Sequence, residues 1–310
     1  MANSHNCIDD IGPFASGPLS TWNVVADRSP KGARANGPAH KADAQALVSS
    51  TKAVNDGFEI SFAKLARFHL NFDRQVVSVF EVGDAASQAT LTHLLCDHIA
   101  PRILAHQGAL VLHGSAVSID GKVAVFIGDT GTGKSTLAAS LHGAGHQLLG
   151  DDAVVILQGE TGFLAEAVYP SLRLFHDSIA AIVEDNARTE PMAHYSDKQR
   201  VTLARGAQSG SRPLPLGGLF LLSGDADAAT IAVRKPSPAQ ACVAILEQSF
   251  SLDAHDGAQA ARRMAMASKL IGGIATFELE YPNGFDRLSQ VHSLIETCMS
   301  DRNMASAGVV

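Results

Sequence analysis

No C-x-x-C pair occurs in the 310 residues; the four cysteines, Cys7, Cys96, Cys242 and Cys298, stand far apart. That spacing suggests neither a zinc site nor a dithiol redox motif, and it leaves reduced thiols buried as small apolar side chains. Positive charge is also scarce: 24 Lys and Arg face 31 Asp and Glu, a formal net charge of −7. This argues against nonspecific binding to nucleic acid or to an anionic membrane, both of which rely on excess Lys and Arg. A local basic pocket for phosphates remains compatible with it. No run approaches the ~20 apolar residues that span a bilayer. The opening residues MANSHNCIDDIGPFASG lack a basic segment followed by an apolar one, so no signal peptide is expected and a cytoplasmic location is. No internal repeat is visible.

What is present suits a globular protein with a well-filled core: 46 % of residues are apolar and 18 % charged. Residues 1–50 are rich in Ser, Gly, Pro, Ala and Asn, without a sustained period, and read as a flexible arm; Trp22-Asn23-Val24-Val25 is the part of it able to pack. Residues 51–107 read as a small β-rich module with a helix. Phe58–Phe62 and Arg67–Phe72 alternate and Val76–Val82 is β-branched, which predicts an antiparallel sheet. A helix follows from about Ala85 to Ala105, with Leu91, Leu94, Leu95, Ile99 and Ile103 near helical spacing. Residues 108–302 read as one α/β domain and 303–310 as a tail. In that domain Asp120-Gly121 predicts a hairpin between Ser115–Ile119 and Val123–Ile127. Gly217–Leu222 is a buried-type strand, and Ser237, Pro238 and Gln240 form a capping-box helix start. Helices near Gly257–Leu270 and Phe285–Met299 bracket a strand at Ala275–Tyr281.

Gly128-Asp129-Thr130-Gly131-Thr132-Gly133-Lys134-Ser135 fits G-x-x-x-x-G-K-[ST], and Thr136 comes next. An apolar strand runs in and a helix runs out, the context such a phosphate loop needs. Its glycines let successive N–H groups turn inward toward phosphate oxygens, and the helix N-terminus adds partial positive charge at the same place. Lys134 is the residue to reach the β- and γ-phosphates, and Ser135 the one to offer a hydroxyl to Mg2+. The motif by itself says nucleotide binding.

Gly150-Asp151-Asp152 lies at the carboxyl end of a strand, where ligands of open α/β sheets gather. Adjacent carboxylates repel, and a cation or a shared proton offsets that. Beside a phosphate loop one can hold Mg2+ and the other accept a proton from an incoming hydroxyl; the alternative is a capping turn. His113 ends the strand Ala109–Leu112 and is read either as a hydrogen-bonded structural residue or as part of a reaction centre.

The order Leu112-His113-Gly114, then Gly128–Ser135, then Gly145-His146-Gln147-Leu148-Leu149-Gly150-Asp151-Asp152 resembles the catalytic domain of the HPr kinase/phosphorylase family. The likeness covers residues 109–157. It implies a P-loop kinase core related to phosphoenolpyruvate carboxykinase, ATP and Mg2+ as cofactors, and phosphorylation of a serine in a small partner protein. Carried over residue by residue, Lys134 and Ser135 serve phosphates and metal, and His113, Asp151 and Asp152 complete the centre. Asp152 is then the base to the substrate serine and Asp151 stands nearer the metal. The family forms rings, which implies a homo-oligomer. Tyr169–Phe175 lacks the family's glycine-rich signature and its glutamate, so neither HPr as substrate nor the phosphorylase activity is carried over. The chain looks more like shorter bacterial HPr-kinase-like proteins, some of which modify a serine of a ribosomal-peptide precursor in lasso-peptide pathways. Arg173, Lys198 and Arg200 are candidates to stabilise the transferring phosphoryl group or hold an acidic substrate, or else are solvated basic side chains. The alternatives in function are a nucleotide-operated switch without an acceptor, and a small-molecule kinase.

Overall fold

A computed structural model describes residues 14, 18–26, 49–84, 86–169, 172–183, 187–193, 196–202, 212–223 and 230–300. The expected tail at 303–310, most of the expected arm, Ala85 and Cys7 lie outside them. Five strands form the first sheet: β1 (Asn23–Ala26), β2 (Ser49–Val54), β3 (Gly57–Phe62), β4 (Ala66–Asn71) and β5 (Val76–Phe80), in the order β1-β5-β4-β3-β2. All neighbours run antiparallel except β1, which pairs with β5 in parallel. Side chains of a strand alternate between faces, so Ile60, Phe62, Phe68, Leu70, Val77 and Val79 fall together and are buried.

That face packs on helix α1, built of three consecutive segments: α-helical Gln88–His93, π-helical Leu94–Ile99 and α-helical Ala100–His106. Ser87 caps its start by accepting from the Thr90 N–H. The expected stripe of Leu91, Leu94, Leu95, Ile99 and Ile103 is buried, but the π turn in its middle has no counterpart in the sequence pattern. Such a turn marks a place where the helix departs from regular spacing for a local reason, often functional.

The second sheet contains β6 (Leu110–Leu112), β7 (Gly114–Ile119), β8 (Lys122–Ile127), β9 (Gln147–Gly150), β10 (Val154–Gln158), β11 (Phe163–Ala167) and β15 (Leu214–Leu222), in the order β6-β10-β11-β15-β8-β7-β9. β15 also pairs in parallel with β17 (Ala275–Glu280), which takes β16 (Ala232–Arg234) on its other side. A third sheet is made of β12 (Leu172–Leu174), β14 (Gln199–Thr202) and β13 (Arg188–Pro191). The β7–β8 turn has Asp120 at φ 49° and Gly121 at φ 78°, the two positive dihedrals that a tight hairpin matching strand twist demands.

The run Val-Ala-Val-Phe-Ile of β8 is apolar throughout because both faces are covered. Ala124 and Phe126 face helices α2 (Lys134–Gly143) and α6 (Leu288–Ser300). Val123, Val125 and Ile127 face α4 (Pro238–Glu247) and α5 (Gly257–Gly273). A short helix α3 (His176–Ile182) comes after β12. The capping box at Ser237 is present in full. No helix among the described residues is long and apolar enough to cross a membrane. Cys96 and Cys298 are free and buried, and burial pushes their thiols up to about 12 and about 11.

The arm reading needs correction where residues 18–26 are concerned. Leu19, Trp22 and Val24 are buried, and the Trp22 ring meets Phe72 edge-on at 5.1 Å. The β-rich module also shares its core with the α/β domain: the cluster takes in Val111, Ala153, Val155, Val168 and Leu252. The segment read as able to pack does so, because one tryptophan and one leucine bury much area inside an otherwise polar stretch. Trp22→Ala should therefore lower unfolding stability by about 3 kcal/mol in a denaturant titration, the range of large-to-small aromatic truncations in a core. A residue of a flexible arm would leave the midpoint where it was.

Candidate functional site

The residues after β8 form the loop that the sequence singled out, and α2 begins at Lys134. Gly128, Gly131 and Gly133 have φ of 151°, 91° and 88°, where side-chain-bearing residues are strained. Two of the three are also crowded. A Cβ on Gly128 would lie 2.7 Å from the Leu222 carbonyl oxygen at the end of β15, and one on Gly133 would lie 2.9 Å from the Tyr281 hydroxyl. Gly131 faces open space. The Thr132 N–H and hydroxyl both donate to the Asp129 carbonyl, at 3.3 and 2.9 Å. Thr130 is exposed, and Ser135 and Thr136 are half-buried in the first turn of α2, with Thr136 Oγ1 3.2 Å from Ser178 Oγ of α3.

Lys134 is buried, and its ammonium donates to the Gly128 and Asp129 carbonyls at 2.7 and 2.8 Å. Burial lowers its pKa to about 8, helped by the nearby Lys198 and opposed by Asp151 and Asp129. The lysine therefore lies across its own loop while sharing an electrostatic neighbourhood with Asp151.

Gly150 closes β9, where a Cβ would meet the Ala167 methyl at 2.5 Å and the Tyr169 carbonyl at 2.7 Å. Asp151 is almost fully buried: its Oδ1 accepts from Ser115 Oγ at 2.5 Å and its Oδ2 from the Arg173 N–H at 3.2 Å. Each carboxylate oxygen retains a lone pair after one such bond. Asp152 turns the chain at φ 65°, and its carboxylate meets the Arg173 guanidinium. The Asp152 carbonyl takes a hydrogen bond from His113 Nδ1 at 3.1 Å. A carbonyl only accepts, so Nδ1 carries the proton and Nε2 is the free acceptor. Burial, with Lys134 second, brings the His113 pKa down to about 4, which leaves the ring neutral near pH 7.

Arg173 and Arg200 are buried, and Lys198 is half-buried. Arg173 is 2 % exposed; one end of its guanidinium pairs with Asp152 and the other with Asp97 of α1. Arg200, also buried, lies over the Tyr169 ring at 5.3 Å with its Nη2 3.7 Å from Asp97. Lys198 stands over the exposed Phe175 ring at 5.1 Å and feels the charges of Asp151 and Arg173, its pKa lowered mainly by burial. All the sequence-selected residues thus lie on the loop, the β9 turn, the end of β6, and the β12 and β14 edges beside them.

Sequence reasoning misses several partners. Ser115 looks like an ordinary strand residue, and its role depends on β7 pairing with β9. Gln248, just past α4, donates to Asp129 Oδ1 at 3.1 Å, and accepts the His113 N–H through its carbonyl at 2.6 Å. Asp97 carries a legible signal: with His93 it makes an i, i+4 polar pair on a helix otherwise read for its apolar stripe.

Chemically, a glycine loop at a helix start with a lysine over it suits phosphate, and Gly131 leaves open room above the loop. Ser135 and Asp151 offer hydroxyl and carboxylate oxygens, the hard donors that Mg2+ prefers. Among the described residues no group of three His, Cys, Asp or Glu side chains forms a metal cage.

No protein-family model matches the chain, and no curated protein does. Among solved structures it is similar to the Hpr(Ser) kinase/phosphatase from Coxiella burnetii, at 13 % identity over 64 % of this chain and 99 % of that one. The TM-score is 0.30, and a superposition that loose assigns neither residue roles nor activity to this chain.

Proposed function

We propose that the chain is an ATP- and Mg2+-dependent kinase that transfers a γ-phosphoryl group to a serine hydroxyl of a small protein or ribosomal-peptide precursor. The observation that carries this reading is the meeting of Lys134, His113, Lys198 and Asp151 within one electrostatic neighbourhood beside the glycine loop, with Asp152 joined to His113 through its carbonyl and to Arg173 through its carboxylate. A nucleotide-binding loop alone needs no second carboxylate beside the one that serves the metal.

When bound, Mg2+-ATP supplies the transferable phosphoryl group and the charge that neutralises it. The chain's part is positional and electrostatic, as phosphoryl transfer requires. Lys134 exchanges its hold on the Gly128 and Asp129 carbonyls for phosphate oxygens, and the loop N–H groups take others. Ser135 and Asp151 serve as the metal's protein ligands. Asp152 accepts the proton of the serine hydroxyl as its oxygen bonds to phosphorus and the bond to the ADP oxygen breaks. His113, fixed by the Asp152 carbonyl, holds the turn and offers Nε2 to the site. Lys198, and Arg173 through its guanidinium, balance the charge that collects there. A nucleotide-operated switch is the second reading, and the Arg173–Asp152 contact favours it, since a paired carboxylate is a weaker base.

Three variants test this. Lys134→Ala should weaken binding of a fluorescent ATP analogue by about 10- to 100-fold, the worth of a lost charge-assisted contact; unchanged affinity would overturn the phosphate-loop assignment. Asp152→Asn should retain that affinity while transfer of label from γ-labelled ATP to a serine falls about 100-fold or more. Candidate acceptors are HPr and small peptides encoded beside the gene. Binding without label on any of them would favour the switch, and loss in Asp151→Asn alone would reverse the two aspartates.

A further inference from the structure

We infer that Asp97, on the helix of the N-terminal module, is a positioning residue of the reaction centre, acting on the acid pair through Arg173. The inference rests on the kinase reading for its functional half and on geometry for the rest. Asp97 lies inside the π turn of α1, with its carboxylate nearly inaccessible. Oδ1 accepts from Arg173 Nη2, Oδ2 is held by His93 Nδ1, and Arg200 stands 3.7 Å away on the same side. The other end of the Arg173 guanidinium reaches Asp152, and the Arg173 main-chain N–H binds Asp151. Both acids of the pair are therefore in contact with one residue, and that residue is gripped by α1.

A guanidinium is a planar fork with fixed donor directions, so clamping one end sets where the other end points. Without Asp97 nothing described on that side would hold the fork, and Arg173 would be free to follow Asp152 alone. The arrangement is not one that stability alone selects. Burying so many charges brings a desolvation penalty that apolar packing avoids, and Arg173 Nε and Nη1 are both buried without a hydrogen-bond acceptor, Nη1 meeting Asp152 as an ion pair only. Cutting the chain at residue 107, the boundary visible in the sequence, would accordingly remove a part of the site.

The test uses the full chain and three readouts: turnover of Mg2+-ATP with water or a peptide as phosphoryl acceptor, affinity for a fluorescent ATP analogue, and amide hydrogen exchange over residues 150–153. Asp97→Asn should lower kcat about 30-fold with nucleotide affinity within about threefold, the scale seen when an outer residue orienting an active group is lost. Exchange at 150–153 should speed up about tenfold as the turn loosens. Combining it with Arg173→Lys should lose no more than the larger single effect, because both act through one contact. Asp97→Glu keeps the buried charge and guards against simple misfolding; it should recover part of kcat. Wild-type kcat in Asp97→Asn, multiplicative losses in the double variant, or unchanged exchange would each overturn the inference. A wild-type chain that binds ATP yet transfers its phosphoryl group to nothing would instead defeat the kinase reading, and the exchange data would still decide whether Asp97 governs the turn.

Discussion

One guanidinium buried between two carboxylates sets the terms for the middle of this molecule. Arg173 is fully desolvated, and such a charge is tolerable only with opposite charge against it. Asp97 supplies that charge from α1 and Asp152 from the β9 turn, while Arg200 stands near Asp97 and His93 is hydrogen-bonded to it. Burial alone would raise the Asp97 pKa; Arg173, then His93 and Arg200, outweigh it and hold the carboxyl below its ordinary range. The N-terminal module, the β9 turn and the β12–β14 sheet are thereby tied at one polar point, surrounded by apolar core.

The glycine loop is constrained differently, by space. Gly128 is pressed against the Leu222 carbonyl and Gly133 against the Tyr281 hydroxyl, so neighbouring parallel strands, β15 and β17, leave room for backbone only. Gln248 ties the loop to His113 through Asp129 on one side and its own carbonyl on the other. His113 in turn binds the Asp152 carbonyl. Loop, histidine and acid pair are thus connected by three consecutive hydrogen-bonded contacts, a short physical path along which a change at the loop can reach the aspartates.

Much of this is legible in the sequence because the signals are local. Alternation in Phe58–Phe62 and Arg67–Phe72, the Asp120-Gly121 turn and the Ser237 capping box each depend on dihedrals or hydrogen bonds within a few residues. The loop motif belongs to the same class, since its glycines state a backbone requirement directly. For Arg173 and Arg200 the sequence leaves solvation open as an alternative, because a basic residue in a polar stretch is usually exposed. Their burial depends on α1, about 76 positions earlier in the case of Arg173 and Asp97, and no local pattern carries that pairing.

By itself the sequence determined many of the strands and helices, the glycine-rich turn after β8 with its positive dihedrals, and the presence of adjacent carboxylates at a strand end. These arise from side-chain periodicity and from residues with restricted or unusual dihedrals, which act over one or two turns of chain. Tertiary structure decided that Trp22 belongs to the core, that Ser115 and Gln248 serve the site, and that Asp97 holds the arginine between the acids. The reason is that desolvation and charge pairing depend on what else arrives at a point in space. A buried ion finds its partner wherever the fold delivers one, at whatever distance along the chain.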